Sequence, residues 1–434
     1  MKVKCCLVFD IGKTNQKYFL FDKNYKILKR DKVTIPKIKD EDGHIAENIQ
    51  GIVEWMRLRF NDLLQSKRFE IEKVNFSAFG ATLVNLDQNG EVVTPVYDYH
   101  KSIKEDILVS FYENYGPEIV FATRTGSKNL KMLNSGKQLY WLKFAKPEFY
   151  KKIKYSLHLP QYLSYVFTGE MFAEFTSIGC HTDLWDYEKK DYHYWVTAEG
   201  IDSLFPSIVK TNKMVTKNYG GRNIFFGIGI HDSSSALLTY LLKGKESFIL
   251  LSTGTWCINF NPFSKGLLFN EKQIESGVTA YMKIDGTPVI TSRLFLGEEH
   301  RIQVQNLVNH FGVSKFYYRN LEFDRVIFDQ KVKKSTTHFN WKYLDKTTAP
   351  KQDALDFPSF EIGYHQLIKE LIDLLNDQIR IICDTLPKKI YVDGGFSDND
   401  IFIKMLEKQF PNQKIKANPA SFACALGAAM LISD

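Results

Sequence analysis

The chain has no Cys-x-x-Cys pair: its six cysteines, at positions 5, 6, 180, 257, 383 and 424, are scattered over 434 residues. That spacing excludes a disulfide framework or a thiol-ligated metal and reads as reduced, buried thiols in a cytoplasmic protein. Cys5 and Cys6 are adjacent in an apolar strand, so their side chains are expected on opposite faces. An uninterrupted apolar run near ~20 residues, the length that crosses a bilayer, is also missing. The start, Met1-Lys2-Val3-Lys4 followed by Cys5 to Phe9 and then Asp10, has too short an apolar stretch and no small-residue cleavage site. Neither a signal peptide nor a membrane partner is therefore expected. HExxH and EF-hand patterns are absent too, which argues against a built-in metal site. Nor is there a concentrated basic stripe: 57 Lys and Arg against 50 Asp and Glu leave +7, spread along the chain. The densest runs, Lys151-Lys152-Ile153-Lys154 and Lys331-Val332-Lys333-Lys334, read as solvated faces. A mildly basic surface favours anionic ligands such as phosphate and gives no reason to expect nucleic acid.

What is present is a well-stocked core, with 44% hydrophobic and 14% aromatic residues, too long for one domain. Two domains are expected, 1–221 and 222–434, divided at Lys217-Asn218-Tyr219-Gly220-Gly221. Each half begins alike. Residues 5–9 and Tyr18 to Phe21 make a hairpin whose tip contains Gly12, and 248–251 with 256–260 make a second whose tip contains Gly254. The spacing predicts helices over 49–64, 136–145, 232–242, 362–382, 398–408 and 421–431. Strands are expected over 74–79, 83–86, 224–230 and 389–392. The repeated hairpin device predicts two α/β domains of related architecture.

The two tips, Gly12-Lys13-Thr14-Asn15 and Thr253-Gly254-Thr255, both offer backbone N–H groups, hydroxyls and a glycine that admits an anion to the main chain. Either alone is also an ordinary turn; two across a cleft suit a polyphosphate, with Lys13 or Lys17 adding positive charge. This is no P-loop, since Leu7 stands where its first glycine is required. Asp10 ends a buried strand, where an acid is costly unless it meets a cation or accepts hydrogen bonds, so it suits a Mg-phosphate complex or caps its own turn. Asp232 opens a helix after an apolar run, at the mouth of a sheet where α/β proteins place their chemistry. Its other reading is a helix N-cap, and the spacing supports both. His231 reads as a packing or orienting residue. Asp393-Gly394-Gly395, ahead of Ser397-Asp398, provides bare backbone for a flat ring or phosphate, or simply a tight left-handed turn.

The ordered set of motifs resembles the FGGY family of carbohydrate kinases. It comprises Phe9-Asp10-Ile11-Gly12-Lys13-Thr14-Asn15, Gly80-Ala81-Thr82, Gly229-Ile230-His231-Asp232, Ser252-Thr253-Gly254-Thr255-Trp256, Val392-Asp393-Gly394-Gly395-Phe396-Ser397 with Asn399, and Ala425-Leu426-Gly427-Ala428-Ala429. The resemblance implies an α/β fold of two ribonuclease-H/actin-like (ASKHA) domains around an ATP and sugar cleft. The sugar-binding domain is then 1–221, and the one with the catalytic base and adenosine site is 222–434. It implies Asp232 as the general base that takes the proton of the attacking sugar hydroxyl. ATP would be held by Gly12, Lys13, Thr14, Asn15, Lys17, Gly254 and Thr255 at its phosphates and by Gly394, Gly395 and Asn399 at its adenosine. Asp10 would stand by Mg²⁺, and the sugar would lie against Gly80, Ala81, Thr82 and Asp232. Closure between the halves would exclude water.

Xylulose kinases carry Gln-Met-His-Gly where this chain has Gly80-Ala81-Thr82-Leu83, which disfavours D-xylulose. His231-Asp232 resembles the rhamnulose and fuculose kinase branch, so the implied acceptor is a 6-deoxyketose, L-fuculose or L-rhamnulose. His100, His181 and Asp183 are further polar residues within reach of a sugar. Three other classes compete: an actin- or heat-shock-chaperone-like ATPase switch without a sugar acceptor, a ribonuclease-H-like nuclease, and a non-catalytic sugar-binding regulator. The sequence leaves a homodimer open.

Overall fold

A strand that is apolar at successive positions, as Cys5 to Phe9 is, can bury both faces only inside a sheet. The computed structural model describes residues 2–244, 246–264, 269–333, 338–343, 356–418 and 422–433, and it places Val3–Ile11 in that position. Gln16–Phe21 returns antiparallel on one side, setting Lys17 opposite Asp10, and Phe69–Ala78 lies parallel on the other, setting Ser77 opposite Asp10. Ile27–Val33 forms the edge beyond Gln16–Phe21, while Arg222–Gly227 and then Met214–Tyr219 complete the far side. Cys5 and Cys6 do face opposite sides, in separate apolar clusters.

The second sheet repeats this plan. Phe248–Thr253 and Cys257–Asn261 form its hairpin, continued antiparallel by Pro288–Leu294 and Thr279–Met282. Lys389–Gly394 and Lys414–Asn418 join on the other side in parallel. Both sheets therefore set an antiparallel meander beside parallel strands, the related architecture that the paired hairpins predict, and the first adds Met214–Tyr219 as an antiparallel edge.

The division at Gly221 needs correction on the sheet's own pairing. Gly220 and Gly221 form the tip of a hairpin whose strands, Met214–Tyr219 and Arg222–Gly227, both belong to the first sheet. That sheet continues to Ile230–His231, which pairs with Ser77 and Ala78. The run expected as one strand from 224 to 230 is interrupted at Gly227–Gly229. Gly229 has φ +87°, and a Cβ there would come 2.4 Å from the Pro160 carbonyl oxygen. This turn swings the chain into the helix Asp232–Leu241.

Helix Ile49–Leu64 begins where Asn48 accepts from the Gly51 N–H, and its buried residues Ile49, Ile52, Met56, Phe60 and Leu63 recur at helical spacing. Phe360–Ile381 is started by Ser359 in the same manner. Two other helices are exchanged between the halves. Asp232–Leu241, which leaves the first sheet, packs Leu237 and Tyr240 against Phe248 and Leu250 of the second. Ala423–Leu431, which leaves the second sheet, packs Ala425, Ala428 and Ala429 against Val8, Phe19 and Phe21 of the first. The two helices touch at Gly427, where a Cβ would meet the Ser235 carbonyl oxygen at 1.8 Å. The expected helix start at Ser421, and Lys334 of the second basic run, lie outside the described residues.

Candidate active site

Strand ends and helix starts converge where the exchanged helices cross. Cys424, half-buried at the start of the last helix, lies within the electrostatic reach of Asp10, Asp232 and Asp393 together, which raises its thiol pKa beyond what desolvation alone does. Three carboxylates far apart in sequence thus lie within electrostatic range of one thiol between the sheets. Among the described residues the one ammonium or guanidinium ion-paired with any of the three is that of Lys17, whose Nζ is 3.9 Å from Asp10 Oδ2. Burial first, then the charge of Asp232, push the Asp10 carboxyl up to about 6 against the opposing pull of Lys17. Asp232 is likewise raised to about 6 by burial, opposed by hydrogen bonds from Ser233.

Asp232 does not serve as a helix cap. His231 occupies the N-cap position, and Asp232 is the first helical residue. Its Oδ1 accepts from the Ser233 N–H at 2.6 Å and from Ser233 Oγ at 3.2 Å. His231 Nε2 lies 3.2 Å from Asp232 Oδ1 and 3.2 Å from Cys180 Sγ. Burial lowers the His231 pKa to about 3, so the ring is neutral and orients its neighbours without adding charge.

The Gly80-Ala81-Thr82 segment adjoins this group. A Cβ on Gly80 would stand 2.9 Å from His231 Nε2 and 3.1 Å from Cys180 Sγ, so glycine lets the main chain approach. Ala81 holds φ +57°, a strained value for a residue with a side chain, and Thr82 Oγ1 is buried without a hydrogen-bond partner among the described residues.

At the first tip, Gly12 N–H donates to the Asn15 carbonyl at 3.0 Å, closing the turn. Asn15 Oδ1 accepts from Thr34 Oγ1 at 3.1 Å. Lys13 is turned elsewhere. Its ammonium pairs with Glu47 at 2.5 Å and Asp98 at 2.7 Å and lies 4.1 Å from the centre of the Tyr99 ring. Of the two lysines expected to add charge at the tip, Lys17 is the one beside Asp10. Glu47 and Asp98 give no local signal in the sequence, because they come from other elements.

At the second tip, Gly254 N–H donates to the Trp256 carbonyl, and the Thr255 carbonyl accepts from the N–H groups of Gly297 and Glu298 at the start of helix Leu296–Phe311. Thr253 joins this tip to the Asp393 turn. Its carbonyl accepts from Gly395 N–H at 2.8 Å, and its hydroxyl donates to the Asp393 carbonyl and accepts from Phe396 N–H. Gly394 has φ +86°. Gly395, with Tyr318, Arg319, Asn320, Asp398 and Asn399, lines a cavity of about 590 Å³. The Asn399 side chain is already engaged, capping helix Asp400–Gln409 at Phe402 N–H and donating to the Tyr364 hydroxyl at 2.7 Å.

Of the other polar residues expected near a sugar, only His181 is brought beside this group. Its ring stands 5.6 Å from that of Tyr281, which is equally close to His231. Asp183 is buried in an ion pair with Lys137 at 2.6 Å. His100 is largely exposed and bonds to Asp98.

The acids have a cost that can be measured. Asp10 binds its proton more tightly folded than unfolded, so its contribution to stability declines as pH rises from about 4 to about 6 and stays low above. A shift of roughly two units corresponds to about 2–3 kcal/mol. Asp10→Asn is therefore expected to raise Tm at pH 8, with the gain gone at pH 4. An unchanged or lower Tm at pH 8 would mean that the carboxylate is well compensated.

Residues 5–238 match the N-terminal domain of the FGGY family of carbohydrate kinases. A rhamnulokinase of Mannheimia succiniciproducens is 25% identical over 194 residues, 43% of this chain and 38% of that protein, so the match spans well under two thirds of that curated relative. Among solved structures, a carbohydrate kinase from Novosphingobium aromaticivorans superposes with TM-score 0.80 at 22% identity, covering 98% of this chain and 93% of that one. A Plasmodium falciparum glycerol kinase with ADP superposes with TM-score 0.77 at 15% identity, covering 99% and 89%. The expected fold, two ribonuclease-H/actin-like α/β domains, is the one found. Over more than half its length, and across the strand ends that gather Asp10, Gly80 and Asp232, the chain belongs to the FGGY family of carbohydrate kinases.

Proposed function

We propose that the chain transfers the γ-phosphoryl group of ATP to a hydroxyl of a ketose. The observation that carries this reading is Asp232: a carboxylate raised to about 6, opening a helix at the sheet's end, with the side-chain-free Gly80 next to its His231 neighbour. A group of that basicity takes a hydroxyl proton as the oxygen attacks and is ionised at neutral pH. Phosphoryl transfer otherwise requires positioning and charge neutralisation. The two tips, with Lys17, are suited to the phosphates, and the cavity at Gly395 to the adenosine. The glycerol kinase of the same fold was solved with ADP, which accords with such a donor.

No cluster of three or more metal-ligating side chains occurs among the described residues, so a metal would come with the nucleotide. Asp10 fits one. It is buried, repelled by Asp232 and only distantly approached by Lys17. Mg²⁺ held there would neutralise phosphate charge. The partial match to a rhamnulokinase supports a 6-deoxyketose, L-rhamnulose or L-fuculose, as acceptor.

A coupled ADP-release assay with ATP and Mg²⁺, run over pentoses, ketohexoses, 6-deoxyketoses and glycerol, tests the reading. Turnover stimulated by one sugar above the others is expected; turnover indifferent to all of them would favour the ATPase switch. For the accepted sugar, kcat/KM should fall as pH drops through about 6, where Asp232 takes up its proton. A limb centred near 4 would show that the base is not this carboxyl with its raised pKa.

A further inference from the structure

Arg293 lies on Pro288–Leu294, directly across from Ile258 in the pairing with Cys257–Asn261. Side chains alternate between sheet faces, so Arg293 shares the face of Thr291 and Val289, and through their pairing that of Phe260 and Tyr281. Phe260, Tyr281 and Val289 pack with Cys180 of the first half, whereas Leu294 faces the opposite core. Arg293 therefore points toward the space between the halves, on the side where Cys180, His231 and Gly80 meet.

A guanidinium stays charged and normally finds a carboxylate when half-buried. Among the described residues Arg293 has none. It is half-buried, it lies 5.2 Å from the centre of the Trp256 ring, and the groups that act on its charge are Tyr281 and Cys180. Asp232 acts on the same two groups without pairing with Arg293, so opposite charges flank them separately.

His181 is the second element. Only 8% of the residue is exposed, and among the described residues its buried Nδ1 has no hydrogen-bond partner of good geometry, the carbonyls of Leu133 and of His181 itself being its nearest backbone acceptors. Its backbone is held at φ +41°, and Asp183 at φ +64°. The segment is fixed from several sides: Asn134 Nδ2 donates to the His181 carbonyl at 2.9 Å, Gly136 N–H to Thr182, Trp195 Nε1 to Asp183, and Lys137 pairs with the Asp183 carboxylate. A strained loop this firmly determined, presenting an unsatisfied ring nitrogen beside a cation without an anion, has the properties of a ligand subsite.

We propose that Arg293 and His181 are specificity-determining residues that bind the acceptor sugar, with Arg293 donating to two neighbouring oxygens of it. The inference rests on the kinase reading for the identity of the ligand. The fork of a guanidinium suits paired oxygen acceptors, either adjacent hydroxyls or a carboxylate. It acts on the part of the sugar that is not phosphorylated, so its contribution is to ground-state and transition-state binding alike.

The test compares wild type with Arg293→Gln, Arg293→Lys and His181→Ala. The readouts are KM and kcat over the ketose panel supplemented with aldonates, calorimetric sugar and ADP affinity, and Tm. Arg293→Gln is expected to raise KM for the accepted sugar and weaken its calorimetric binding about 10- to 100-fold, with kcat within about threefold and ADP affinity unchanged. Arg293→Lys keeps the charge and stem but loses the fork, and should remain at least about tenfold impaired. His181→Ala should weaken sugar binding in the same direction. A neutral winning sugar assigns Arg293 to adjacent hydroxyls, and an aldonate assigns it to the carboxylate. Unchanged sugar affinity in both Arg293 variants would overturn the proposal. So would a fall in kcat at constant KM, which would place Arg293 on the phosphoryl group. If Arg293→Gln loses Tm, Arg293→Lys decides by the same criteria. Calorimetric binding without sugar-stimulated turnover in wild type would sink the kinase reading while leaving this one to stand on the variants' affinities.

Discussion

Asp232→Asn is expected to lower turnover by about 10²- to 10⁴-fold, the usual contribution of a positioned general base, while ATP affinity stays within about twofold. Asparagine keeps the size of the side chain and an oxygen to accept from Ser233 N–H, the bond found at 2.6 Å. What it cannot do is take a proton from the attacking hydroxyl. Because burial raises the Asp232 carboxyl, the substitution also removes a group that favours its protonated form in the fold, so Tm at pH 8 should hold or rise. A slow, well-folded variant that still binds ATP and sugar would establish the base. A variant that unfolds or loses ATP would show that the carboxylate is structural, despite His231 standing at the cap position.

The split between what the sequence revealed and what it concealed follows from locality. Asp10, Asp232 and Asp393 stand out because each ends an apolar run and is followed by a turn or helix start, a signal contained within a few residues. Helix Ile49–Leu64 was legible with its bounds for the same reason, its apolar positions recurring every three or four residues. Lys13 is a candidate phosphate ligand by its place in the tip. Its partners Glu47 and Asp98 come from elements far along the chain, and no local pattern shows that they claim the ammonium. Arg293 was invisible for a related reason. It stands in a meander between polar and apolar residues, and its place in the cleft depends on cross-strand pairing with Cys257–Asn261. Gly220-Gly221 signals a turn without telling a linker from a hairpin: it is a tight hairpin tip, and the chain leaves the first sheet only after His231.

Gly394 and Gly395 stand side by side and should respond oppositely, which separates the architecture of the adenosine motif from its use. Gly394 has φ +86°, and a Cβ there would lie 1.8 Å from the Thr253 carbonyl oxygen. That oxygen cannot retreat, since it belongs to the strand carrying the second tip and accepts from Gly395 N–H. Backbone strain and overpacking therefore add, and Gly394→Ala is expected to cost about 2–4 kcal/mol of stability. At Gly395 a Cβ would meet nothing within 4 Å, and the residue lines the cavity beside Tyr318 and Asn399. Gly395→Ala should leave Tm unchanged. If a flat ring lies on that bare backbone, the added methyl occupies its place, and ADP affinity measured by calorimetry should fall about tenfold or more, in line with overpacking costs of about 1–3 kcal/mol. Unaltered ADP affinity in Gly395→Ala, with Tm preserved, would move the adenosine away from this cavity and reduce the pair of glycines to a turn. A loss of affinity confined to Gly395→Ala would tie the fold's left-handed turn to the nucleotide, because the conformation that Gly394 alone can adopt is what exposes Gly395.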